Sequence, residues 1–195
     1  RMAKLEDEAA RGSTYITDDA DWIDFSSTVC TAPDQIALAP GYLKREFEKD
    51  GRRCFEYAMD RPMLPFWAYL SARWQVKRGD WKGMPIEVYY DPAHPYNVDR
   101  IIEGVKDSLD YYTTNFTPYQ HQQVRIIEFP RYQRFAQSFA NTIPYSEGIG
   151  FIADLRAPDA IDYVYYVTAH EVAHQWWAHQ VIGADVQGST VLRES

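Results

Sequence analysis

Apolar and polar residues alternate through much of the first half of the chain, the period expected of half-buried strands. Ile23 and Phe25 alternate with polar neighbours. Residues 43–48 and 53–59 flank Lys49-Asp50-Gly51, a hairpin signal because Asp-Gly tolerates the positive φ of a tight turn. Phe66, Ala68, Leu70, Ala72, Trp74 and Val76 alternate over eleven residues and predict one strand with one buried face. Gly79-Asp80 is the expected turn into a further strand over 86–90. The aromatic side chains of this region read as core.

From about Met84 the period lengthens. Asn97 is placed to cap a helix whose apolar face is Val98, Ile101, Ile102, Val105, Leu109, Tyr112 and Phe116, with Pro118 ending it. Residues 124–129 read as a buried strand, 130–141 as a loop with a helical turn, and 149–153 as another strand. A second helix is expected over 159–180. Asp159 is its N-cap, Asp162 stands three residues on, and Ile161, Val164, Tyr165, Thr168, Val172, Trp176 and Val181 recur at helical spacing. It stops near Gly183 and is apolar enough to be buried on most sides. Residues 1–13 are charged without an apolar face, a linker or a short exposed helix. There are no internal repeats.

The chain has 195 residues, 46% apolar and 15% aromatic, which is globular composition for one or two domains. A net charge of −8 argues against nucleic acid, which calls for a basic stripe. No apolar run reaches the length of a membrane span, so this segment is not expected to insert in a bilayer. Cys30 and Cys54 are too few for a framework. A disulfide between neighbouring strands and two buried free thiols both remain open, with the thiols favoured.

Chemistry concentrates in His170-Glu171-Val172-Ala173-His174. A helix turns about 100° per residue, so side chains four apart share a face and both histidines can point at one zinc ion. Glu171 can stay unligated beside the metal and take a proton from an attacking water. Such a motif also arises by chance. Burial decides between the two readings, because two histidines and a glutamate inside an apolar helix are costly unless paired or metal-bound. His179 lies about 180° round the helix from His170 and reads as an ordinary, partly exposed histidine.

His-Glu-Val-Ala-His-Gln-Trp-Trp (170–177) resembles the zinc helix of the gluzincin metallopeptidases of the aminopeptidase N-like family, and Leu192-Arg193-Glu194-Ser195 resembles their Leu-Asn-Glu-Gly element. The family spaces its second histidine and its zinc glutamate by eighteen residues; here nineteen intervene, Gln175 to Arg193. Tyr145-Ser146-Glu147-Gly148-Ile149-Gly150 resembles the Gly-Ala-Met-Glu-Asn-x-Gly exopeptidase motif, with Ser146 and Gly148 as departures. The Trp-Trp variant resembles bacterial membrane proteins that carry such a domain. The likeness spans roughly residues 21–195 and is specific over 145–151 and 170–194.

The resemblance implies an α+β fold: the end of an N-terminal antiparallel β-domain (14–83) after the 1–13 segment, then the first lobe of a thermolysin-like zinc peptidase domain (84–195), truncated after the zinc-ligand Glu194. It implies one zinc on His170, His174 and Glu194, Glu171 as general base, Glu147 on the α-amine of a peptide substrate, and the strand after Glu147 as an edge to which that substrate pairs. The activity implied is aminopeptidase. A thermolysin-type endopeptidase and a non-catalytic peptide-binding ectodomain are the alternatives. The family also places a tyrosine, downstream of the zinc glutamate, on the oxyanion; no tyrosine here can be given that role. The chain starts at Arg1 and stops one residue after Glu194, so the expectation is a piece of a larger protein that alone holds zinc weakly and has negligible activity; its localisation stays open, with the extracytoplasmic domain of a bacterial membrane protein as one option.

Overall fold

Asp50 and Gly51 both adopt positive φ, 52° and 72°, and the chain reverses there as the Lys49-Asp50-Gly51 signal predicts. The structure is a computed structural model that describes residues 2–18, 21–157, 159 and 161–189. After a 3-10 turn at Ala9–Gly12 come β1 (Ser26–Thr31), β2 (Ile36–Leu38), β3 (Tyr42–Lys49) and β4 (Arg52–Ala58). They are followed by β5 (Leu70–Ala72), β6 (Gln75–Trp81) and β7 (Met84–Tyr90). The remainder is α1 (Val98–Asn115), β8 (Val124–Phe129), β9 (Thr142–Ser146) and α2 (Tyr163–Ala173). The fold is of the α+β class, mostly sheet with two α-helices among the described residues.

β1-β4-β3 form an antiparallel sheet and β2-β5 an antiparallel ribbon; β6-β7-β8-β9 form a mixed sheet, antiparallel between β6 and β7 and parallel thereafter. The parallel β7–β8 pair needs a crossover, which α1 supplies. On one face of the mixed sheet Ile86, Val88, Ile126 and Ile143 pack with Ile101, Val105 and Leu109 of α1 and Val164 and Val172 of α2. On the other face Tyr89 and Ile127, opposite each other in register, pack with Phe25, Leu38, Phe55, Tyr57 and Met63 of the N-terminal β-layer. Covered on both sides, β8 is buried at every position, which is why it reads as an almost continuous apolar run.

Several expectations are corrected. The eleven-residue strand over 66–76 is two strands, because the chain leaves the β2–β5 ribbon after Ala72 and joins the mixed sheet at Gln75. The turn before β7 lies at Lys82-Gly83, both at positive φ, not at Gly79-Asp80. Gly79 sits inside β6, where a Cβ would stand 2.6 Å from Cγ2 of Ile102; glycine there lets α1 lie close on the sheet. The stretch 149–153 is a turn, and the strand precedes Glu147 instead, as β9. Pro144 obscured it, being tolerated only because β9 pairs with one named strand. The outer edge of β9 is occupied by the preceding loop, with Gln137 N–H donating to Pro144 O and Ser146 N–H to Phe135 O. The stretch after Glu147 expected to pair with substrate is therefore not a strand, and the strand before Glu147 has its outer edge covered.

α2 begins later and ends earlier than 159–180. Its cap is Asp162, whose carboxylate accepts from Tyr165 N–H at 2.9 Å, and after Ala173 the chain continues in turns. Asn97 stands at the N-cap position of α1 without capping it; its amide donates to the carbonyls of Gly150 (2.7 Å) and Ala153 (2.9 Å), tying the helix start to the turn after Glu147. Cys30 and Cys54 are directly opposed on β1 and β4 and joined by a disulfide, so the favoured reading of two free thiols is corrected. The N-terminal segment bridges to the chain beyond α2, Ala3 to Val186 and Thr14 to Ala184.

Candidate functional site

α2 packs closely on α1 where Thr168 meets Gly104, and Tyr112 OH donates to Ala169 O at 3.3 Å and Tyr165 OH to Asp107 at 2.9 Å. A Cβ on Gly104 would stand 3.2 Å from Cγ2 and 3.3 Å from Cβ of Thr168, so the absence of a side chain sets the spacing of the two helices. Val164, Thr168 and Val172 face the core, and Thr168 Oγ1 donates to Val164 O at 2.7 Å. Beyond the helix Gln175, fully buried, locks the next turn: its amide donates to Ser138 Oγ (2.6 Å) and Phe139 O (2.9 Å) and accepts from Asn141 N–H (2.9 Å).

On this support His170 Nε2 and His174 Nε2 converge to 3.1 Å. Two nitrogens about 2.0–2.1 Å from one zinc at a tetrahedral angle stand about 3.3 Å apart. His174 Nδ1 lies 3.0 Å from Trp177 O, and donating its proton there leaves a lone pair on Nε2, the outer support a ligating histidine needs. The ring of His170 stacks on Tyr166. Glu171, next to the first histidine, is buried at 5% exposure. The spacing of these two nitrogens suits two ligands of one zinc. Glu194 lies outside the described residues. His174 lines a cavity of about 250 Å³ with Tyr15, Phe66 and Ser138, residues the motif alone does not point to.

His179 is corrected from partly exposed to buried. Burial pushes its imidazole down to about 4, partly offset by a hydrogen bond at 2.9 Å from Nε2 to Ser138 O.

Glu147 sits in the turn after β9. Its N–H donates to Phe129 O, and its carbonyl accepts from Phe151 and Ile152. Its carboxylate lies 3.7 Å from His94 Nδ1 and 3.6 Å from Arg131 Nε. Behind it Glu128 of β8, 3% exposed, accepts from Asp91 N–H at 2.6 Å and meets His94 Nδ1 at 2.5 Å. Burial raises the Glu128 carboxyl against the opposing pull of Asp91 N–H and His94. Burial lowers His94 too, but the hydrogen bond and charge of Glu128, with Asp91 and Glu147 behind, outweigh it and leave the imidazole raised. Glu128 and Glu147 line a cavity of about 700 Å³ that also touches β5, Trp74 and Tyr132. This cavity and the one beside His174 have no lining residue in common among the described residues. Sequence reasoning passed over His94 and Glu128; the available signal was a carboxylate inside the apolar run Val-Arg-Ile-Ile-Glu-Phe.

No protein-family model matches the chain, and no curated protein matches it.

Proposed function

We propose that this chain is the zinc-binding part of a metallopeptidase of gluzincin type, an aminopeptidase in its preferred action. The observation that carries the reading is the 3.1 Å convergence of His170 Nε2 and His174 Nε2, with Trp177 O placed to fix the tautomer of the second ring. A thermolysin-like first lobe is the fold this reading implies, and Glu194 is the third ligand it calls for.

When bound, zinc supplies Lewis acidity, polarising the scissile carbonyl and making a nearby water more acidic. Glu171 removes the proton from that water and later delivers it to the leaving amine. Its burial keeps bulk water from competing for the proton. Glu147 holds the α-ammonium of the substrate, which limits cleavage to the first peptide bond. The disulfide supports an oxidising, extracytoplasmic setting. Among the described residues no helix is long and apolar enough to cross a membrane.

The second reading, a thermolysin-type endopeptidase, is favoured by the separate cavities of Glu147 and His174. For the full-length protein, release of the first residue from unblocked peptides, sensitive to chelator and restored by zinc, is the expected result. Chelator-sensitive cleavage of amino-blocked peptides at internal bonds alone would move the assignment to the endopeptidase. No chelator-sensitive cleavage of either would sink the peptidase reading.

A further inference from the structure

We propose that His94, Glu128 and Glu147 form a second divalent-cation site, separate from the histidine pair at the end of α2. The three side chains come from three elements: the loop before α1, strand β8 and the turn after β9. One ligand atom from each falls within 4.8 Å of the others. Two carboxylates aimed at one spot repel each other, and Glu128 is 3% exposed, so water does little to screen its charge. A protonated His94 offsets one of the two negative charges. Arg131 reaches only Glu147, at 3.6 Å from a side chain 69% exposed. A divalent ion offsets both carboxylates at once and leaves His94 neutral.

The surroundings suit a ligand site better than a sealed ion pair. Asp91 N–H holds one oxygen of Glu128 and thereby turns the other toward His94, as outer hydrogen bonds orient ligating carboxylates. The cavity of about 700 Å³ opens onto Glu128 and Glu147, giving an ion and its remaining waters a way in. One imidazole and two carboxylates, with no thiolate, match zinc or manganese rather than a soft metal, and the nitrogen donor disfavours calcium. On binding, the ion takes the place of the proton shared between His94 Nδ1 and Glu128. That proton leaves to solvent, and the two atoms part from 2.5 Å to the wider spacing of neighbouring ligands. Glu147 is also the residue given the substrate amine above. That overlap rests on the preceding reading, whereas ion binding here does not.

The test is a Mn²⁺ titration followed by electron paramagnetic resonance and calorimetry, in a background carrying His170→Ala and His174→Ala so that the α2 pair cannot contribute. One Mn²⁺ per chain is expected to remain, with affinity falling at least about tenfold on adding His94→Ala, and likewise on adding Glu128→Gln. His94, in a loop and one-quarter exposed, is the variant that decides if buried Glu128 does not tolerate replacement. Absence of a stoichiometric Mn²⁺ in the background, or binding unchanged by His94→Ala, overturns the second site. Zinc binding by the parent protein that disappears with His170→Ala and His174→Ala reports on the peptidase reading alone.

Discussion

Gly104 of α1 and Thr168 of α2 meet with room for a hydrogen atom and little else: a Cβ on Gly104 would lie 3.2 Å from Thr168 Cγ2. Thr168 is fully buried and two residues ahead of His170, so whatever moves it moves the histidine pair. Gly104→Ala sets a gain of about 1 kcal/mol in helix propensity against this crowding, and the two nearly offset. Gly104→Leu keeps the propensity gain but adds three more carbons to a closed contact. It is expected to lower stability by about 1–3 kcal/mol, the usual cost of overpacking, and to weaken zinc binding. Urea denaturation and zinc titration check both; a leucine variant as stable as its parent would show that the helices can separate freely.

Glu171→Gln is expected to abolish peptide hydrolysis by the full-length protein while zinc stays bound. The amide nearly preserves the shape of the buried side chain but accepts no proton, so the loss should reach the 10²–10⁴-fold range, roughly, that general-base catalysis contributes. Bound zinc is read by metal analysis alongside turnover. Unchanged turnover removes Glu171 from the base role.

The sequence patterns that held were those whose cause is local. Val98, Ile101, Val105 and Leu109 mark one face of α1 because helical spacing alone puts them there, and the core covers that face. The Asp50-Gly51 turn held because positive φ is a property of those two residues. Gly79 failed for the opposite reason. Its lack of a side chain serves the approach of Ile102, a contact invisible in a strand read by itself, while the equivalent turn at Lys82-Gly83 lacks the Asp or Asn that usually marks one. For the site, His170 and His174 were legible because a helix brings positions four apart together. His94 and Glu128 meet across 34 residues of chain, and only the crossover through α1 makes them neighbours.

Glu147→Ala separates the two peptidase readings. A hydrogen bond to a charged group contributes about 1.5–3 kcal/mol, so removing the anchor of a substrate ammonium should reduce kcat/KM for unblocked peptides by about 10- to 100-fold. Amino-blocked peptides, which lack that charge, should be affected far less. Equal losses on both would give Glu147 a supporting role beside His94 and Arg131 and favour the endopeptidase.

His121 is expected to make the fold sensitive to acid. It is buried at 7% exposure, and neither ring nitrogen has a hydrogen-bond partner among the described residues. Burial first, with His179 and Arg61 adding to it, pushes its imidazole down to about 3 from the usual 6.5. An unfolded chain takes up the proton near pH 6.5 and the folded chain does not until about pH 3, so between those values the unfolded state binds more protons. The stability contributed by the neutral ring is thus complete above pH 6.5 and is lost as pH falls, at up to about 1.4 kcal/mol per pH unit. His121→Leu removes the titrating group while keeping an apolar side chain against Tyr119. Its stability, measured by urea denaturation from pH 7.5 down to 4.5, should fall less steeply than that of the parent. Parallel curves for the two proteins would mean that another group governs the acid limb.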